Sequence, residues 1–395
     1  QIKDATYSCY DGACGTGGML TVAQDRLNRI AAENGKKVSI HLFGQEIQPE
    51  TYAIAKADMM LKGDGEEAMH IAYGSTLSSD QHAARSFDFM LANPPYGKSW
   101  KTDAERMASG KKKEILDTRF NAATRDGAPL PMIPRSSDGQ LLFLLNNISK
   151  MKQDTPLGSR IVEVHNGSSL FTGDAGSGES NARRYMIEND LVEAIIALPE
   201  KMFYNTGIGT FIWVLSNRKE ERRRGKIQLI DATAIKTPLR KNMGEKNCEL
   251  SPAQRQEIVR IFMAFEESEV SRIFPNSEFG YWKVSVQQPL LDEQGNPALD
   301  KKGRIQPDKA KADTEIIPFR YEGGIEAFMD AEVRPYAPGA FIDPKATKIG
   351  YELSFTKYFY KPVQLRPMED IVADLKALEK ETDGMLAEIL GGIQG

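Results

Sequence analysis

The feature that most constrains this chain is an apolar run, Phe87 to Ala92, that stops at Asn93-Pro94-Pro95-Tyr96. Phe87, Phe89, Met90, Leu91 and Ala92 can be covered on both faces, so the run reads as a buried strand of a parallel sheet. Two consecutive prolines cannot donate to a ladder, and the strand must end there. In an open parallel α/β sheet, ligands bind just beyond the carboxyl ends of the strands. The sequence therefore delivers an amide, two stiff prolines and an aromatic ring to such an edge. An exocyclic amino group on a planar ring is a poor nucleophile, because its lone pair is delocalised into the ring. The Asn93 side-chain oxygen and the Pro94 carbonyl could both accept hydrogen bonds from that NH2, bias it towards tetrahedral geometry and free the lone pair. The prolines keep these acceptors preorganised, and the Tyr96 ring offers a stacking surface. The plainer alternative is a Pro-Pro turn closing a strand.

The sequence upstream bears on that choice. Ala5 to Tyr10 reads as a strand that enters Asp11-Gly12-Ala13-Cys14-Gly15-Thr16-Gly17-Gly18. An amphipathic helix follows over about Met19 to Asn34, with Leu20, Ala23, Leu27, Ile30 and Ala31 on its apolar face. Strand, glycine-rich turn and helix N-terminus form a nucleotide-type arrangement in which Gly15 and Gly17 permit a tight turn and close approach of a ligand. The alternative is that the glycines only pack the helix on the strand. Val38 to Phe43 is the second strand, with Glu46 just past its end, where doubly wound sheets bind a ribose diol; the alternative for Glu46 is solvated surface. A helix is expected over Pro49 to Lys62. A short third strand, Ile71 to Tyr73, ends in Gly74-Ser75-Thr76-Leu77, with Asp80 in the loop. Strands alternating with helices at this spacing predict a parallel sheet with right-handed crossovers.

From Lys98 to Arg135 the chain is polar and rich in Lys and Arg, with Lys98, Lys101, Lys111, Lys112, Lys113, Arg119, Arg125 and Arg135. It reads as a long loop whose charge suits phosphate contacts, or as a solvated mobile loop. Gly97-Lys98-Ser99 resembles the end of a phosphate-binding P-loop, but Ala92 stands where its first glycine should be. Gly139 to Met151 is a strongly apolar core helix. Further elements are expected at Arg160–Val164, Asn181–Asn189, Leu191–Leu198 and Thr210–Leu215, with a possible edge strand at Ile227–Ile230 and the sheet domain closing near Ala232. Beyond it, Ser251 is a plausible N-cap for a helix with Ile258, Ile261, Phe262 and Phe265 inward. Phe279 to Leu291 reads as strand, Asp292 to Asp313 as an exposed hairpin or linker, and Met368 to Leu390 as a long amphipathic helix. Its stripe, Ile371, Leu375, Leu378, Met385 and Ile389, broken by Thr382, suits a bundle core or a partner helix.

The formal net charge of −4 excludes a uniformly basic nucleic-acid binder, so any DNA contact is local or supplied by a partner. Three cysteines make no disulfide framework, and reducing cytoplasm is the default. The four histidines form no metal-ligand spacing, so no metal site is expected. No apolar run is long enough to span a bilayer. The chain opens at Gln1, close to its first strand, and reads as a piece of a longer protein.

In order, Asp11 to Gly18, Glu46 and Asn93 to Tyr96 resemble the motif series of amino-methyltransferases that use S-adenosylmethionine (SAM). The likeness continues through Leu191 to Pro199, Phe203-Tyr-Asn-Thr-Gly207, Phe279-Gly-Tyr-Trp282, Thr347 to Glu352 and the C-terminal helix. Over nearly its whole length the chain resembles the modification (M) subunit of type I restriction-modification systems, an adenine-N6 DNA methyltransferase family. The resemblance implies an α/β, Rossmann-like SAM-dependent methyltransferase fold, with a mostly parallel sheet, helices on both faces and a mainly helical C-terminal extension. It implies a catalytic domain over 1–232 and an extension over 233–395 that ends in a helix for subunit assembly.

It also implies that Thr16, Gly17 and Gly18 lie on the SAM side and that Glu46 holds the ribose. Asp11, Ala13, Cys14, Gly15, Ser75, Thr76, Leu77 and Asn93 would complete the cofactor site. Asn93, Pro94, Pro95 and Tyr96 would hold an adenine flipped out of double-stranded DNA, since the duplex hides the N6 lone pair. The implied partners are a specificity (S) subunit that chooses the target, a second M subunit and a restriction (R) subunit, with no membrane. Three departures stand out. Gly12 replaces the family's usual proline, Ser75 stands where many relatives carry an acid, and the Phe-Tyr-Thr-Pro segment that normally precedes the first motif is absent. A protein-glutamine or RNA N-methyltransferase, or a catalytically idle assembly subunit, remains open at this point.

Overall fold

The structure, a computed structural model, describes residues 3, 5–62, 65–111, 113–204, 206–360 and 367–391; the side chains of Glu66, Glu379 and 381–391 lie outside the description. Two units are described separately, Gln1–Ser354 and Phe355–Gly395.

The first unit is built on a nine-stranded sheet. In chain order its strands begin with β1 (Ala5–Asp11), β2 (Val38–Glu46), β3 (Ile71–Tyr73), β4 (Phe89–Ala92) and β5 (Arg160–Asn166). They continue with β6 (Val192–Ala197), β7 (Thr210–Ser216) and β8 (Lys226–Asp231). A hairpin of β9 (Thr237–Met243) and β10 (Lys246–Glu249) stands apart, and β11 (Ser271–Pro275) returns to the sheet. The spatial order is β11-β8-β6-β7-β5-β4-β1-β2-β3. The strands from β3 to β5 run parallel, β7 is antiparallel to both β5 and β6, and β11 closes the far edge antiparallel to β8.

The helices cover the sheet as the apolar spacing requires. α1 (Gly18–Glu33) and α2 (Pro49–Lys62) pack Leu20, Ala55 and Met59 against Cys9, Ile40, Leu42 and Ile71. α3 (Gln140–Ser149) buries Leu141, Leu142, Leu144 and Leu145, together with Asn146 and Asn147. α4 (Gly178–Glu188) is capped by Ser177, whose hydroxyl accepts from the Ser180 N–H. In α5 (Pro252–Ala264), Ser251 and Gln254 form a reciprocal capping box, and Ile258, Ile261 and Phe262 face the core beneath β6 and β8. All of β6 is buried, which is why Val-Glu-Ala-Ile-Ile-Ala reads as a continuous run with no alternation.

Several expectations are corrected. The sheet does not close at Ala232, because β11 adds a strand forty residues later; the helix α5 between them hid the return. β2 runs three residues past Phe43, since Gly44, Gln45 and Glu46 pair with β3, so Glu46 ends the strand instead of following it. β4 is only Phe89–Ala92, and Phe87 makes a lone parallel bridge to Met151. The polar stretch after Lys98 is ordered: a helix at Lys101–Met107 and two small hairpins are pinned by buried Trp100, Phe120, Leu130 and Met132.

After the sheet, β12 (Gly280–Gln287) pairs with β13 (Asp313–Pro318), with Phe341–Ile342 and with Lys348–Tyr351 in a four-stranded antiparallel sheet. The helical character of the C-terminal part lies mainly in the second unit, in Phe355–Phe359 and α6 (Met368–Gly391). Ile371 and Leu375 of the expected stripe are exposed, while Thr382, Met385 and Ile389 fall outside the described side chains. Among the described residues no helix is long and apolar enough to cross a membrane.

Candidate functional site

The strand order reverses between β1 and β4, so the turns after these strands and after β2 and β3 converge at one edge. A cavity of about 520 Å³ lies there. Its walls include Gly12 and Ala13 after β1, Glu46 at the end of β2, Ser75, Thr76 and Leu77 after β3, and Asn93 and Pro95 after β4. A larger cavity of about 630 Å³, among Gln153, Asn189, Arg218 and Arg224, sits where β6 begins and β7 ends and shares none of these residues.

The turn after β1 is held from inside. The Ala13 N–H donates to Asp11 Oδ1 at 2.9 Å, the Cys14 N–H to the Gln45 carbonyl at 3.1 Å, and Thr76 Oγ1–H to the Gly12 carbonyl at 2.5 Å. A Cβ at Gly12 would lie 2.9 Å from the Tyr10 hydroxyl and 3.1 Å from Thr76 Cγ2, so a side chain there would crowd this turn. Asp11 is 1% exposed, and burial pushes its carboxyl up to about 7, helped by the charges of Glu163 and Glu46 and opposed by the Ala13 N–H. Glu46 is fixed by two backbone donors, Gly15 N–H to Oε2 at 2.9 Å and Gln48 N–H to Oε1 at 2.8 Å.

The loop after β3 is clamped from behind by a residue of the polar stretch. Arg119 Nη1 donates to the Thr76 carbonyl at 2.8 Å and Nη2 to the Leu77 carbonyl at 2.6 Å. The same guanidinium donates to Asn146 of α3 at 2.9 Å and to Asp117 at 2.7 Å. Asp80 lies 3.6 Å from Arg119 and 2.5 Å from Lys150, with 6% of its side chain exposed. Asp80 thus stands behind the cavity wall and is no part of the lining, and Arg119 is a buttress with its donors occupied.

Asn93 is exposed, Pro94 buried, Pro95 exposed and Tyr96 half-buried. Among the described residues no hydrogen bond engages the Asn93 side chain, so its carbonyl and amide are free for a ligand. Burial raises the Tyr96 phenol above its ordinary value. The far end of this loop is tied down through Gly97, whose N–H donates to Asp138 Oδ1 at 3.2 Å; Asp138 Oδ2 accepts from Gln140 and Ser168, both at 2.8 Å. A second cavity, about 360 Å³, opens on the other side of the loop, lined by Asn93, Pro94, Pro95, Tyr96, Lys98, Phe203, Tyr204 and Thr206. The two cavities share Asn93, Pro95 and Lys98.

The glycine turn divides. Gly15, Thr16, Gly17 and Gly18 do not line the first cavity, and neither do Asp11 and Cys14. Gly17 begins α1 at φ 81°, and a Cβ there would meet Met59 Cε at 2.8 Å, so its need for glycine comes from the turn and from α2. The Cys14 side chain joins the apolar cluster beneath α1, and burial pushes its thiol well above the ordinary range. Asn205 of the Phe203-to-Gly207 motif lies outside the described residues. Sequence reasoning missed Ile47, Trp100, Asp103 and Phe143, all of which line the first cavity. Ile47, an apolar residue 49% exposed directly after Glu46, and Trp100, a tryptophan in a polar stretch, were the signals available. Among the described residues no group of three or more His, Cys, Asp or Glu could hold a metal ion.

The family model described as N-6 DNA Methylase matches residues 2–284. Among curated proteins, the Type I restriction enzyme MjaIX methylase subunit of Methanocaldococcus jannaschii is 27% identical over 281 residues, 71% of this chain and 45% of that protein. The Type I restriction enzyme HindI methylase subunit of Haemophilus influenzae is 29% identical over 228 residues, 57% of this chain and 44% of that protein. Among solved structures, a type I restriction-modification system methyltransferase subunit from Streptococcus thermophilus superposes with a TM-score of 0.55 at 25% identity, over 69% of this chain and 51% of that one. The chain thus spans less than half the length of these curated relatives.

Proposed function

Given that the chain belongs to the N-6 DNA methylase family, we propose that it transfers a methyl group from SAM to the N6 amino group of adenine in DNA. The observation that carries this reading is the pair of cavities joined at Asn93 and Pro95. A transfer without a covalent enzyme intermediate requires donor and acceptor to meet in line, and two compartments that open onto one polar loop provide the meeting point.

The first cavity suits SAM. Ile47, Leu77 and Phe143 offer apolar surface for a purine ring, while the Glu46 carboxylate offers acceptors for a ribose diol and Asp103 a second negative charge for a cationic ligand. Glu46 can serve because its two backbone donors leave acceptor capacity on each oxygen. The glycine turn, with Asp11 beneath it, fixes Gly12 and Ala13 so that backbone can approach the ligand. Thr16, Gly17 and Gly18 shape that turn. SAM supplies an activated methyl on a sulfonium, which leaves as a neutral thioether.

The second cavity would take the flipped adenine between Tyr96 and the Phe203-Tyr204 wall. Asn93 Oδ1 and the Pro94 carbonyl accept the two N6 hydrogens and concentrate the nitrogen lone pair towards the shared boundary. Proline on both sides of that carbonyl limits reorganisation. The N6–methyl bond forms as the sulfur–methyl bond breaks, and one N6 proton passes to solvent.

The proposal extends to assembly. The curated relatives are methylase subunits of type I restriction enzymes, so this chain would act with an S subunit that chooses the target, with a second M subunit and with an R subunit, in the cytoplasm. The test uses the full-length protein co-expressed with the neighbouring specificity gene product. It is incubated with labelled SAM and DNA, and the labelled nucleoside is identified. Label in N6-methyladenine that depends on the S subunit is the expected result. Label in protein or RNA alone, or no turnover in the complete complex, would overturn it.

A further inference from the structure

The β9–β10 hairpin is used by nothing described so far. It carries Arg240, Lys241 and Lys246 against Glu245 and Glu249, with Lys236 just before it, on a chain whose net charge is −4. Lys236, Arg240 and Lys241 are exposed, and among the described residues none of the three forms an ion pair. The hairpin is seated on the wall of the second cavity. The Glu245 N–H donates to the Tyr204 carbonyl at 3.1 Å, the Asn247 N–H to the Lys201 carbonyl at 2.9 Å, and Lys246 Nζ lies 4.7 Å from the Tyr204 ring centre. Gly244, at φ 64°, allows this approach, for a Cβ there would sit 2.9 Å from the Tyr204 carbonyl. The turn of the hairpin is therefore tied by backbone hydrogen bonds to the segment that carries Tyr204, which lines the cavity with Tyr96, while Arg240 and Lys241 stand unpaired on β9 of the same hairpin.

We propose that the β9–β10 hairpin is a contact for the DNA phosphate backbone flanking the base held in the second cavity. The inference rests on the DNA-methylation reading of that cavity and adds the surface that engages the duplex. A nucleotide can swing out of the stack only if its flanking phosphates are held while stacking is lost, and Arg and Lys at the cavity rim do this without reading sequence. Lys98, which lines both cavities, places one further cation at the second cavity itself. An acidic protein surface is the rival occupant.

The test compares wild type with the double variant Arg240→Gln/Lys241→Gln in the full-length protein assembled with its S subunit. The binding constant for a fluorescein-labelled mixed-sequence DNA duplex is measured against salt. Two lost phosphate contacts should lower the slope of log K against log salt by roughly 1.8, so that wild type loses about tenfold more affinity than the variant between about 50 and 200 mM salt. The charge-conserving variant Arg240→Lys/Lys241→Arg should keep the wild-type slope, and SAM affinity should be the same in all three. Equal slopes for wild type and the Gln variant would overturn the proposal, as would a loss of slope in the charge-conserving variant. Loss of S-subunit co-purification with an unchanged DNA slope would assign the hairpin to the protein partner instead. Because the slope is read from binding alone, a wild type that binds DNA with the expected slope difference but never methylates it would refute the functional reading and leave the hairpin assignment standing.

Discussion

Replacing Arg119 with Met should unsettle the first cavity, proposed above to take SAM, without touching any residue that lines it. The guanidinium satisfies the Thr76 and Leu77 carbonyls and holds Asp117 and Asn146, with 14% of its side chain exposed. Methionine matches much of its volume but donates nothing. Each buried carbonyl left without a donor costs about 1–3 kcal/mol, while Asp80 keeps Lys150 and the His82 N–H as partners. Asp117 is partly solvated and adds less. A total of roughly 3 kcal/mol follows, at the low end of what breaking one side of a buried ion pair costs. For a unit ending at Ser354, unfolding entropy of about 2 cal/mol/K per residue converts this into a fall in Tm of roughly 4 °C. The fall should be steeper in SAM affinity than in overall stability, because the Ser75-to-Leu77 backbone is itself cavity wall. Differential scanning fluorimetry with and without SAM reads both effects, and a SAM-induced Tm rise that shrinks in the variant is the signature. The pH dependence gives a separate check. Burial raises the Asp117 carboxyl, but Arg119 outweighs it and holds the group below its ordinary value. That depressed pKa contributes stability present above the unfolded pKa and lost as pH falls through the folded one, and the variant should lack this acid-side loss. A variant that melts with wild type and shows the same SAM-induced shift would refute the buttress argument.

Three further outcomes are expected. Asn93→Ala should leave the unfolding midpoint unchanged, since no hydrogen bond within the described residues engages that side chain, while lowering kcat about 10²–10³-fold with SAM affinity nearly intact; isothermal titration beside a methyl-transfer assay would contradict the assigned role if binding and turnover fell together. Gly17→Ala should destabilise by about 1–2 kcal/mol, because a side chain is forced to φ 81° against Met59; an unchanged denaturant midpoint would show that the turn relaxes. Asp11→Asn bears on pH. Its folded pKa of about 7 lies above the ordinary 3.8, so the stability of the neutral form is full below the unfolded pKa and is lost as pH rises towards 7. The Asn variant should therefore gain on wild type with rising pH, by up to about 4 kcal/mol at pH 8; denaturant midpoints at pH 5 and pH 8 that give the same difference would show that burial does not hold Asp11 protonated.

How much of this was legible in the sequence depends on how far apart the interacting residues lie. Strands β1, β2 and β4 and the turns after them could be read because each is written in a short window. An apolar run is followed by a breaker, and the parallel-sheet rule turns that succession into a common edge. Glu46 was found the same way, by its position at the end of a strand. Arg119 could not be. Its local surroundings, Asp117-Thr-Arg119-Phe-Asn121, read as polar loop, and only the fold brings it under carbonyls some forty residues earlier. The second cavity behaves likewise. Tyr96 and Tyr204 lie more than a hundred residues apart, and their approach depends on the reversed strand β7, which returns Thr210 to pair with Asn166 and so brings the segment before it to the edge where β4 ends. Charge patterning fails for a related reason. The cations of 98–135 suggested phosphate contacts, yet Arg119 is spent on carbonyls and carboxylates, while unpaired Arg240 and Lys241 stand in a hairpin that no sequence motif marks. A basic residue marks a ligand only when the fold leaves it unpaired, and pairing is a property of distance in space that composition along the chain does not carry.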